Sequence, residues 1–182
     1  MASLAKVYKI KWYGPYKEKD LPKRKSNIVY LWVGKRKSNP SVKYCVPQYC
    51  GITGRGVYRF FDSKHKKDEL MPKYRKCWIG KIVGGKRKTS KNLKNSALER
   101  TESLLVYFLK RQKLNNEKCC VLNERKGLNP PDISIGILST FYKVDKSEYG
   151  RTPSTVKNLK KIILWDVSSK KLMKGMLDCC KT

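Results

Sequence analysis

A carboxylate on the apolar stripe of a helix is the first place in this sequence to look for chemistry. Residues 96–113 read SALERTESLLVYFLKRQK, with Ser96 placed to cap the first turn and Glu99, three residues later, completing a capping box. At about 100° of rotation per residue and with Leu98 at zero, Leu105 falls at about 340°, Leu109 at about 20° and Val106 at about 80°. On the same wheel Glu102 falls at about 40°, inside the apolar arc, and Glu99 at about 100°, on its edge. A charge buried without a partner is very costly. Glu102 is therefore ion-paired with one of the many Lys and Arg side chains, protonated, or holding a cation where helix meets sheet.

The elements that must position this carboxylate follow from periodicity. Residues 6–13 (KVYKIKWY) alternate as a strand does, and 14–26 form a basic loop with two prolines. Residues 27–34 (NIVYLWVG) are apolar on both faces, the pattern of a central strand. A polar, turn-rich stretch at 35–42 leads to 44–53, the return arm of an antiparallel hairpin. Residues 56–63 read as a short helix with Arg59 one turn before Ser63, and 76–83 as a third strand. The basic run 84–95 (GGKRKTSKNLKN) is either a solvated loop or a contact to a nucleic-acid backbone. After the long helix, 133–144 and 161–167 read as strands, and 167–172 as a tight turn into a last short element.

Charge names the partner. Lys and Arg number 43 against 14 Asp and Glu, a net charge of +29 over 182 residues. Such an excess opposes compaction by self-repulsion and favours polyanions, and duplex nucleic acid offers one negative charge per ~1.7 Å of axis. No long basic amphipathic helix with an aromatic face argues for a membrane surface, and no apolar run reaches the ~20 residues of a membrane span. Residues 1–7 lack the apolar core of a secretion signal. The seven cysteines, odd in number, with two adjacent pairs and no C-x-x-C, fit reduced thiols better than a disulfide framework or structural zinc. The expectation is a soluble, cytoplasmic or otherwise intracellular protein that binds nucleic acid.

In chain order the sequence then presents Ile28-Val29-Tyr30, Tyr49-Cys50-Gly51, Arg59 on a short helix, and Glu102 on a long helix followed by asparagines. This ordered set resembles the GIY-YIG nuclease family over roughly residues 27–117. The sequence departs from that pattern at Ile28, in place of a glycine, at Cys50, in place of an isoleucine, and in a longer hairpin loop. The family histidine would fall at Ser63, and His65, the only histidine, stands two residues further on. The resemblance implies catalytic roles for Tyr30, Tyr49, Arg59, His65 and Glu102. It also implies one Mg²⁺ held by Glu102, with Mn²⁺ able to substitute, and a Gly51 that lets backbone and substrate come close.

Phosphodiester hydrolysis needs an activated oxygen nucleophile and positive charge where the transition state becomes more negative. On the family pattern Tyr49 would orient or deprotonate the attacking water, with Tyr30 in support and Arg59 supplying charge beside Lys64 or His65. Contacts to DNA are expected from Lys64, Lys86, Arg87, Lys88, Lys91, Asn115 and Asn116. The fold implied is α+β, a small three-stranded antiparallel sheet core with packed helices. It would comprise an N-terminal strand and basic loop (1–26), the catalytic core (27–118) and a strand-rich extension (119–182) in the same compact unit. With no helix-turn-helix, zinc finger or RNA-recognition signature, the closest analogy is a restriction-type endodeoxyribonuclease, acting as a homodimer on double-stranded DNA. The alternative is a nucleic-acid-binding protein on a nuclease-like core without catalysis.

The charge alone makes a testable prediction. If many Lys and Arg contact phosphates, raising salt from ~50 to ~200 mM lowers affinity by orders of magnitude, as fluorescence anisotropy with labelled DNA would report. A flat response would separate the charge from nucleic acid.

Overall fold

Strand β2 (Ile28–Gly34) is buried along its whole length, as its two apolar faces require. It pairs antiparallel with β3 (Val46–Thr53) on one side and with β4 (Lys76–Ile82) on the other. Side chains alternate between the faces of a strand, so Val29, Leu31 and Val33 enter one hydrophobic cluster, while Ile28, Tyr30 and Trp32 enter a second on the opposite face. The structure is a computed structural model and describes residues 6–23, 27–41, 43–62, 65–83, 96–114, 117–124, 129–156, 159 and 161–175.

The sheet does not stop at three strands. β1 (Lys6–Tyr16) pairs antiparallel with β4 and, on its other edge, parallel with β7 (Ile135–Tyr142). β8 (Ile162–Asp166) and β9 (Lys171–Gly175) extend it antiparallel, giving the order β3-β2-β4-β1-β7-β8-β9. The short β5 (Lys113–Leu114) and β6 (Glu117–Lys118) form a separate ribbon. The expected three-stranded antiparallel core with packed helices is thereby corrected to a curled, seven-stranded mixed sheet, with a single α-helix among the described residues. The N-terminal strand lies in the middle of the sheet, between β4 and β7. The segment read as a helix at 56–63 is a 3₁₀ turn, Gly56–Phe61.

The helix α1 (Ala97–Lys110) begins where its cap dictates: Ser96 Oγ accepts the Glu99 backbone N–H at 3.2 Å. It packs on β3, β2 and β7 through Leu98, Leu105, Phe108 and Leu109. β1 and β2 both run antiparallel to β4, so they are parallel and the chain between them must cross β4. Leu21, from that crossover, joins the Tyr30 cluster. None of the described helices is long and apolar enough to cross a membrane.

β3 is an edge strand, and an open edge exposes unpaired N–H and C=O groups. Here the chain closes its own edge. Cys120 N donates to Pro47 O at 2.7 Å and Leu122 N to Gln48 O at 3.1 Å. The buried Asn123 side chain then takes both groups of Cys50, accepting from its N–H at 2.9 Å and donating to its carbonyl at 2.6 Å. Cys119 and Cys120 sit in the helix-side cluster and Leu122 in the opposite one, so this segment wraps the edge from face to face. Asn123→Ala removes both of these hydrogen bonds from the β3 edge and should cost about 1–3 kcal/mol, read as a lower denaturant midpoint at unchanged m-value.

Candidate active site

The face of the sheet opposite the Leu31 cluster gathers side chains from four segments. Tyr30, on β2, is 1% exposed, and its ring takes the edge of Phe60 at 4.6 Å between centroids. Tyr49, on β3, is half-buried with its ring 6.0 Å from that of Tyr30. His65 is buried with its ring 5.9 Å from Tyr30 and 5.8 Å from Tyr49. Gly51 pairs directly with Tyr30 across the sheet. A Cβ at Gly51 would stand 2.6 Å from the Tyr30 hydroxyl and 3.0 Å from Tyr49 Cε1. The glycine of the Tyr49-Cys50-Gly51 tripeptide is therefore the space in which the Tyr30 hydroxyl sits.

The hydrogen bonds assign the histidine tautomer. His65 Nδ1 accepts the Lys67 backbone N–H at 3.0 Å, so Nε2 carries the proton and donates to the Tyr30 hydroxyl at 3.3 Å. Burial pulls the His65 pKa down to about 4, and the nearby Arg59 and Lys67 charges pull the same way. The ring is neutral at physiological pH. Tyr30 moves in the other direction, far above an ordinary phenol. Burial is the first cause and the neighbouring Tyr49 the second, with a hydrogen bond to Tyr49 and the Glu102 charge adding to them against the opposing pull of Arg59. Tyr30 is therefore a permanently neutral hydroxyl.

Around this pair stand the charges. Arg59 has a 38% exposed side chain and bridges Asp62 at 2.7 Å, and Arg55 shares the same carboxylate. The His65 loop is fastened by a compact ion network. Lys67 Nζ meets Glu18 at 2.8 Å and Asp68 at 2.9 Å, and Arg75 joins both carboxylates while donating to the Lys67 carbonyl at 3.0 Å. Glu18 belongs to the crossover and Arg75 borders β4, so the network ties three segments to the position of His65.

Glu102 is buried at 3% exposure on α1, whereas Glu99 is partly buried. Among the described residues no group of three or more His, Cys, Asp and Glu could hold a metal ion. One buried carboxylate, whose charge is felt by Tyr30, suits an ion that keeps waters and phosphate oxygens in its shell, as Mg²⁺ does, and not one that needs a closed protein cage.

Of the residues expected at the site, Tyr30, Tyr49 and His65 come together on one face, the Arg59 charge acts on both Tyr30 and His65, and the Glu102 charge reaches Tyr30. Lys64, Lys86, Arg87, Lys88, Lys91, Asn115, Asn116 and Ser63 lie outside the described residues. Two contributors escaped the sequence reading. Phe60 seats the 3₁₀ turn on Tyr30, Trp32 and His65, and Asn123 fixes the backbone between Tyr49 and Gly51. The only signal for Asn123 was a second Leu-Asn pair at 122–123, eight residues after the first at 114–115. No protein-family model, curated protein or solved structure matches the chain.

The histidine makes its own prediction. Its folded pKa, about 4, lies below the ordinary 6.5, so the unfolded chain binds the extra proton between those values. The stability conferred by the neutral ring is complete above pH ~6.5 and is lost as pH falls towards ~4. The ion-paired carboxylates Asp62 and Asp68 are held below their ordinary 3.8 by their Arg and Lys partners. Thermal melting from pH 7 to pH 4 should show this decline, and His65→Gln should flatten it; an equal slope in the variant would place the titration elsewhere.

Proposed function

We propose that the chain is a metal-dependent endonuclease that hydrolyses DNA phosphodiester bonds. What supports this reading above all is the cluster of Tyr30, Tyr49 and His65, with the charges of Arg59 and Glu102 acting on Tyr30. They lie far apart in sequence and supply the residue types this hydrolysis requires: phenols, a guanidinium, a neutral imidazole and a buried carboxylate.

The roles follow from position and protonation. Tyr49 is the phenol that reaches solvent, so it is the one placed to take a proton from an attacking water. An ordinary phenol with a pKa near ~10 is a poor base at neutral pH, and the relay behind Tyr49 helps it. Lys67 N–H fixes His65, and His65 Nε2–H donates to the Tyr30 oxygen. Tyr30 then keeps its own hydrogen for the Tyr49 hydroxyl. A hydrogen bond donated to an anion favours that anion, and Tyr30, which does not itself ionise and accepts from His65, has its one hydrogen left to donate to Tyr49. Arg59 adds a positive field and a planar fork for phosphate oxygens. Glu102 would hold a divalent ion, which when bound supplies charge to the scissile phosphate.

Cleavage of supercoiled plasmid with and without Mg²⁺ tests the assignment. Tyr49→Phe keeps the ring and should lower the rate about 10²–10⁴-fold with DNA binding intact. Arg59→Lys keeps the charge without the fork and should also slow cleavage. Glu102→Ala should abolish metal-dependent cleavage without weakening affinity for a polyanion. Wild-type rates in all three variants would take the cleavage away from these residues, and no cleavage by the unaltered chain would leave a nucleic-acid-binding protein without this chemistry.

A further inference from the structure

The 3₁₀ turn Gly56–Phe61 has three residues per turn, so residues three apart share a face. Phe60 points inward, fully buried against Tyr30 and Trp32. Arg59 and Asp62 form the i,i+3 ion pair on a second face. Tyr58 and Phe61 share the third, and both are open to solvent, at 44% and 63% exposure. Phe61 is the most exposed of the large apolar side chains described. It stands two residues from the arginine of the candidate site, at most ~7 Å along the chain.

Two half-exposed rings present on the order of 200 Å², far below the ~800 Å² per partner of a stable protein interface. The area matches a nucleobase. The charge around it matches too, since Arg55 and Arg59 flank the rings with Asp62 as their shared counter-ion. Lys23, itself exposed, lends its backbone carbonyl to the Tyr58 hydroxyl at 3.5 Å.

We infer that the Tyr58–Phe61 edge stacks an unpaired base next to the scissile phosphate, so that the substrate is a strand opened or single on that side and not a continuous duplex. Bases inside a duplex are already stacked on their neighbours and present no free face to a protruding ring, whereas every unpaired base does. The inference rests on the nuclease reading for the position of the phosphate, while its test needs no cleavage.

Binding of the full chain in EDTA is measured on a single strand, a forked duplex and a blunt duplex of one length, with 2-aminopurine in the unpaired arm. The strand and fork should bind more tightly than the blunt duplex, with the probe quenched. Phe61→Ala should weaken strand and fork binding about 5- to 150-fold, relieve the quenching, and leave duplex affinity and the salt slope unchanged. Phe61→Trp should restore both signals. Equal affinity for fork and duplex with no effect of Phe61→Ala would overturn the inference. A drop in sedimenting mass with Phe61→Ala would also overturn it, because the edge would then hold a second copy of the chain. Fork-specific stacking in a chain that never nicks DNA with Mg²⁺ would remove the nuclease reading and keep the stacking edge.

Discussion

The hydroxyl of Tyr30 needs room in the middle of a packed sheet, and most of the candidate site is arranged around that need. Gly51 provides the room by lacking a Cβ directly across the strand pair. Phe60 closes the ring from one side, and in doing so fixes the turn that carries Arg59. His65 closes the polar end with its Nε2–H. A buried hydroxyl left without a partner would be unfavourable by ~1–3 kcal/mol, so the histidine satisfies Tyr30 as much as it tunes it. Tyr49 then shares the hydroxyl environment and is, of the two phenols, the one partly open to solvent.

The same region shows how a strongly basic chain folds at all. Of its few carboxylates, Glu18 and Asp68 are spent on Lys67 and Arg75, and Asp62 on Arg55 and Arg59. The acids thus neutralise cations where the scaffold is tight, beside the site. Lysines elsewhere, such as Lys9, Lys11 and Lys81, are exposed and leave the excess positive charge on the surface.

What the residues disclose on their own is local. The cap at Ser96, the buried angle of Glu102 and the two-faced apolar run of β2 all follow from short-range periodicity, and each is present in the structure. The pairing of β1 with β7 is not local: it joins residues more than a hundred positions apart, and nothing in KVYKIKWY says which strand lies beside it or in which direction. The alternation of β1 is equally compatible with an edge, so it does not correct the three-stranded core that the family resemblance implies. The tightness of a 3₁₀ turn likewise depends on Phe60 finding the Tyr30 ring. Asn123 is a polar loop residue by sequence and becomes structural only because β3 ends the sheet.

The place of β1 between β4 and β7 also sets an order of events during synthesis. β3, β2 and β4 can pair once residue 82 has emerged, but β1, made first, gains its parallel neighbour only when β7 is complete at Tyr142. Contacts of such long sequence separation slow folding. In that interval the β1 edge carrying Tyr8, Ile10 and Trp12 stands open, and an unpaired edge is where nascent chains associate wrongly. The lysines at 9 and 11, interleaved with those apolar residues, put like charges along that edge and would keep two unfinished chains apart on the ribosome until the second half of the sheet arrives.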